Sequence, residues 1–174
     1  MKKEIIAAIG LIIGAVLGIA GSFAPTASLR GIAWGIDGTT IIVGCAIMTV
    51  HFLRSDNDML AAGFIVYAIG EGLVQLVCAM APDSSSPFFA AGTALWAAGM
   101  AMVSFPRGFP AFVRVTGVIA GILFAVTALE IFFGNMLTPL SKPLPFYSYP
   151  FLALTLLGWA WTMLKSRQQE QSLP

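Results

Sequence analysis

The chain alternates long apolar stretches with short polar, proline-bearing ones. Six apolar runs can be marked, at residues 5–23, 31–53, 59–80, 88–105, 112–133 and 151–164. The first five are close to the ~20 residues that a helix needs to cross about 30 Å of hydrocarbon. The sixth is short, and the interfacial residues before it are expected to extend it. No ten-residue alternating strands of a membrane barrel appear. The pattern therefore predicts an all-α, polytopic membrane protein: a single transmembrane domain over residues 1–174 with six transmembrane helices. Pro25, Pro82, Pro87, Pro106, Pro110, Pro139, Pro143, Pro145 and Pro150 fall at run ends or between runs, and Pro174 is the last residue. A proline inside a helix removes a backbone bond that lipid cannot replace. Six unbroken spans are expected, which argues against a transporter built on proline-broken helices.

Composition sharpens this picture. With 58% hydrophobic and only 10% charged residues, and a mean hydropathy of +0.89, the chain has too little charge to cover a water-facing surface. The net charge is +1 with no basic face, so no nucleic-acid partner is expected. Lys2 and Lys3 precede the first run as in a signal peptide, but the run is longer than a signal core and is expected to remain as a helix. With the N-terminus in the cytoplasm, Lys2, Lys3, Arg54, Arg107, Arg114, Lys165 and Arg167 lie inside, and only Arg30 and Lys142 lie outside. That bias predicts both termini cytoplasmic. Tyr147 and Tyr149 in the outer loop suit an interfacial belt.

An internal repeat is also legible. Pro25, Pro82 and Pro139 are evenly spaced, each closing an odd-numbered run in "FAP", "MAP" and "LTP". Gly10, Gly63 and Gly117 open matching apolar elements in the odd runs; Gly44, Gly99 and Gly158 open Gly-x-Ala in the even ones. Three duplicated helical hairpins are expected, over about residues 1–55, 56–108 and 109–165, followed by a short polar cytoplasmic tail at 166–174. Gly10, Gly14 and Gly18 share one helix side, and Gly31/Gly35 and Gly117/Gly121 repeat the spacing. Small residues let helices approach closely in lipid, either within the chain or against a homo-oligomer or another membrane subunit. This layout of proline-closed, glycine-marked hairpins resembles the HdeD-like small bacterial inner-membrane proteins. The resemblance implies six helices, a multi-pass location in the bacterial inner membrane, membrane lipids as surroundings and an envelope stress role.

The candidate chemistry is confined to acids inside the spans. Asp37, Glu71 and Glu130 lie in runs, and none recurs in the other repeats. Glu71 is the deepest, near mid-membrane. An intramembrane carboxylate costs on the order of 3 kcal/mol. It must face the bundle or a wet cavity, find a partner, or keep its proton. Tyr67, Glu71 and Gln75 recur every four residues and so share a face, which Cys78 continues. Trp34, Asp37, Thr39 and Thr40 are expected to form an outer polar patch, with Arg30 and Lys142 near enough to pair with Asp37 and Glu130. These residues read as an outward-opening polar pocket for small-solute, ion or proton permeation or for ligand binding. The ligand- or ion-binding candidates are Glu71, Asp37, Gln75, Tyr67, Glu130 and Arg30. The alternative is a non-catalytic, oligomerising accessory subunit in which Glu71 makes only a packing hydrogen bond.

An enzyme is not expected. Asp37 with Arg30 is the one pair at headgroup depth, and no Walker loop, GxSxG or HExxH is present. His51 is single, at the cytoplasmic edge; Cys45 and Cys78 form no CxxC; neither metal nor cofactor is expected. The "SDND" stretch at 55–58 reads as a solvated turn, and Trp96, Trp159 and Trp161 as packing or belt residues.

Overall fold

A computed structural model describes residues 3–77 and 82–171. Within them the chain forms six α-helices and one short 3-10 turn: α1 (Lys3–Ser22), α2 (Ala27–Leu53), α3 (Asp58–Val77), α4 (Pro82–Ser104), α5 (Ala111–Phe132) and α6 (Tyr149–Gln171), with the 3-10 turn Phe146–Ser148 before α6. The described residues contain no strand. The first five helices are long and apolar enough to cross a membrane; the apolar part of α6 is shorter. Cys78, and Met80 and Ala81 of the second proline mark, lie outside the described residues.

Local chemistry explains the boundaries. α2 starts at Ala27, four residues before the apolar run, because Thr26 caps it: its hydroxyl accepts the Leu29 N–H at 3.2 Å. α5 stops at a glycine in the left-handed region, Gly134 with φ 101°. The Gly134 N–H reaches the Ile131 carbonyl and the Asn135 N–H the Glu130 carbonyl, each at 3.0 Å, which satisfies two carbonyls at the helix end. Arg114 performs the same service for α4. Its Nε donates to the Ser104 carbonyl at 2.8 Å and its Nη2 to the Phe105 carbonyl at 2.9 Å. One prolyl position departs from the sequence expectation: Pro87 is inside α4. It is the sixth residue, so it leaves the carbonyl of the second residue, Asp83, without its helical donor, a loss confined to the first turns of the helix.

Each helix packs antiparallel on its chain neighbours, and α6 closes back on α1. Among the described residues the result is one ring of six helices whose backbones do not approach one another across it, opposite members meeting through side chains such as Phe64 of α3 and Trp159 of α6. Every helix turns bare apolar side chains outward, for example Ile9 and Val16, Ile32 and Val43, Ile65 and Ile69, Phe88, Ile122 and Leu129, Leu154 and Leu157. Such an all-round apolar exterior suits lipid.

Glycines set the close approaches. A Cβ on Gly99 would stand 2.7 Å from the Tyr67 nitrogen and 2.9 Å from the Gly63 carbonyl oxygen; one on Gly70 would stand 2.8 Å from the Gly92 oxygen. Backbone thus meets backbone along the α3–α4 seam. In α1, Gly10, Gly14 and Gly18 all face α2, whereas Gly31 and Gly35 of α2 meet nothing within the chain. The expectation that glycine pairs mark seams holds for Gly117 against Ser104 and Gly121 against Ala97, but not for Gly31 and Gly35 inside this chain.

The middle of the ring is filled by rings. Phe52, Phe64, Phe109, Trp159, Tyr67, Trp96, Phe124 and Tyr149 form an unbroken chain of contacts with centroids 4.9–6.2 Å apart. Their packing is largely dispersion, since hiding from lipid brings apolar groups little.

The α4–α5 staple makes a prediction. Arg114→Ala should lower unfolding stability by about 1–2 kcal/mol, because it strips charge-assisted bonds from two terminal carbonyls at a half-buried site. Chemical denaturation of the purified protein in detergent checks this; an unchanged midpoint would mean that water replaces the guanidinium without cost.

Candidate functional site

Two acids meet on adjacent helices. Counted from the common end of α2 and α3, Asp37 is about 24 Å up and Glu71 about 20 Å up at 1.5 Å per residue, so they share a level within one turn. Asp37 is therefore deeper than its place near the start of the apolar run suggests. Both are buried, with relative exposures of 9% and 2%.

Each carboxyl group is seated by glycines. Gly14 and Gly18 of α1 leave a notch for Asp37: a Cβ on Gly18 would come within 2.9 Å of Asp37 Oδ2, and one on Gly14 within 3.2 Å of Oδ1. On the other side, Gly38 of α2 makes room for the Gln75 side chain of α3. Gln75 Nε2 then donates to Glu71 Oε1 at 3.1 Å. Trp34 is fixed one turn before Asp37, its Nε1 donating to the Gly18 carbonyl at 3.2 Å; the Ser22 hydroxyl donates to the same oxygen.

These groups line one cavity of about 50 Å³, counted as the space open to the centres of water-sized guests. Its wall includes Gly14, Gly18 and Ser22 of α1, Trp34 and Asp37 of α2, Glu71 and Gln75 of α3, Trp96 of α4, and Tyr149, Leu152 and Leu156 of α6, with Pro139 from the α5–α6 connection. The cavity is partly open, and its residues extend to the ends of α1 and α6 where that connection lies. Tyr149 is held there by donating its hydroxyl to the Pro139 carbonyl at 3.0 Å.

Several polar atoms at this level and the turn below it are buried without a hydrogen-bond partner: Asp37 Oδ1, Trp96 Nε1 and the Tyr67 hydroxyl. Native proteins leave few such groups unmet.

The six sequence candidates separate accordingly. Asp37, Glu71 and Gln75 line the cavity. Tyr67 is one turn below, stacked on Trp96 and edge-on to Trp159, and so belongs to the aromatic filling as much as to the acids. Arg30 does not pair with Asp37: its Nη2 donates to the Ala24 carbonyl at 3.3 Å and its guanidinium stands 5.8 Å from the Trp34 ring. Glu130 is half-buried near the end of α5, a helix that contributes nothing to the cavity. Lys142 stands over Phe146, at 4.6 Å. The expected outer patch also divides. Thr39 turns outward and bonds the Gly35 carbonyl, while Thr40 bonds the Asp37 carbonyl. Trp96 and Tyr149, read from sequence as packing and belt residues, are walls of the cavity. Nothing in their own neighbourhoods signals this; the Gly14–Gly18 spacing opposite an acid was the available clue.

No protein-family model, curated protein or solved structure matches this chain.

Proposed function

We propose that this chain is a six-span inner-membrane protein that binds a small polar solute in an outward-facing pocket built around Asp37 and Glu71. The observation that carries the reading is the cavity itself, whose lining residues include Asp37 with an unpartnered carboxylate oxygen and Trp96 with an unpartnered indole N–H. The outward assignment rests on the excess of Lys and Arg in the connections at the opposite end. The outward-facing Leu154, Leu157 and Trp161 support α6 as the sixth span. A duplicated-hairpin origin is supported by glycines at corresponding crossings, Gly10 beside Gly44 and Gly63 beside Gly99. The aromatic filling below the pocket favours binding over open permeation.

The test separates a ligand site from a packing hydrogen bond. In a ligand site, two buried acids cost the fold stability, so Glu71→Gln and Glu71→Met should leave the thermal midpoint in detergent unchanged or raise it. A loss of more than about 2 kcal/mol in both variants would identify Glu71 as a structural bond between helices and end the pocket reading.

A further inference from the structure

The pocket's chemistry narrows what it would hold. Its lining includes two carboxyl groups and no Lys, Arg or His. An anion would find two carboxyl groups there and no cationic side chain. A neutral polyol would need matched donors and acceptors, and most of the wall is apolar. A hard metal ion needs six or more oxygens, and among the described residues no group of three or more His, Cys, Asp or Glu comes together. What remains is a cation that carries its own apolar surface. Trp34, Trp96 and Tyr149 offer three aromatic rings in the same wall, and aromatic faces attract such cations. Glu71 already accepts from Gln75, which leaves Asp37 Oδ1, buried and without a partner, as the free acceptor. Size follows from the cavity. A water needs about 10–15 Å³ on this measure, so 50 Å³ admits a guest of roughly three to five heavy atoms.

Resting on the pocket reading above, we propose that the guest is a small organic monocation of the alkylammonium class, held by Asp37 and Glu71 and walled by Trp34, Trp96 and Tyr149. The cation supplies the countercharge that the pocket lacks, and its methyl or methylene groups meet the rings.

The experiment uses the full chain in proteoliposomes, with Cys45 and Cys78 replaced by alanine and one cysteine placed in the cavity wall at Ala153→Cys. Ser22→Cys, a second lining position, is run in parallel so that misfolding of one variant does not decide the outcome. Two thiol reagents of similar size are compared, 2-aminoethyl methanethiosulfonate (positive) and 2-sulfonatoethyl methanethiosulfonate (negative). Their rate ratio is normalised to that at Met136→Cys, an exposed loop position. The pocket ratio should favour the positive reagent by about tenfold over the loop. Tetramethylammonium should slow the reaction and its neutral counterpart tert-butanol should not. Labelling by both reagents with no preference, or no protection by tetramethylammonium, overturns the cation assignment while leaving a ligand pocket standing. If neither lining cysteine reacts while Met136→Cys does, the pocket is closed to solutes and both readings fall.

Discussion

Trp159→Ala is expected to destabilise the protein by about 3–5 kcal/mol, among the largest losses that any single truncation here would cause. The indole is 1% exposed and touches Phe64 at 4.9 Å, Tyr67 at 5.8 Å and Phe109 at 6.2 Å between ring centroids. α6 brings it across to rings from α3 and from the α4–α5 connection, so its removal empties the middle of the helix ring, where the backbones of opposite helices stand apart. Lipid does not change the sign. The cost comes from lost close contacts more than from transfer out of water. Denaturation in detergent measures it, and Trp159→Phe should recover more than half of the loss. A drop below about 1 kcal/mol would mean that the surrounding helices collapse onto the gap and that the ring is softer than its packing suggests.

The second large effect is expected at a residue with no side chain. Gly99→Leu should separate α3 from α4 and cost more than about 3 kcal/mol, or prevent folding, because a Cβ there meets the Tyr67 backbone nitrogen and the Gly63 carbonyl oxygen, neither of which can rotate away. Gly35→Leu is the matched control. It lies in α2 with nothing from its own chain within 4 Å, so replacing a helical glycine there should be neutral or slightly stabilising. Thermal midpoints of the two purified variants decide the point. Similar losses at both positions would show that Gly35 also lies in a contact, one made with another chain.

Much of the fold was legible because lipid imposes length on apolar runs. All six runs became helices, and the prolines at 25, 106, 110 and 139 do separate them. The failures were local. Thr26 began α2 a turn early through a capping bond that hydropathy cannot register, and α4 begins before Pro87 and takes it in near its start. The candidate site was less legible for a different reason. A helix that is apolar all round has no polar side to give its rotation away, so the sequence could name Asp37 and Glu71 but could not say that Arg30 turns to Ala24 and Trp34 instead of pairing with the acid. The one readable clue to rotation was glycine. Gly14 and Gly18 indicate which side of α1 comes close to α2, and that side holds Asp37.

The closing of α6 onto α1 has a consequence for biogenesis. α6 supplies Tyr149, Leu152 and Leu156 to the wall around the acids, yet it leaves the ribosome long after α3. At about 5–20 residues per second, the stretch from Glu71 to Tyr149 takes on the order of 4–16 s to synthesise. For that interval the nascent chain must carry two carboxyl groups through the translocon without their final enclosure. The notch of Gly14 and Gly18 and the Gln75 amide are all made before α4 emerges, so under the proposed membrane reading they are available to seat both acids before the last helix arrives.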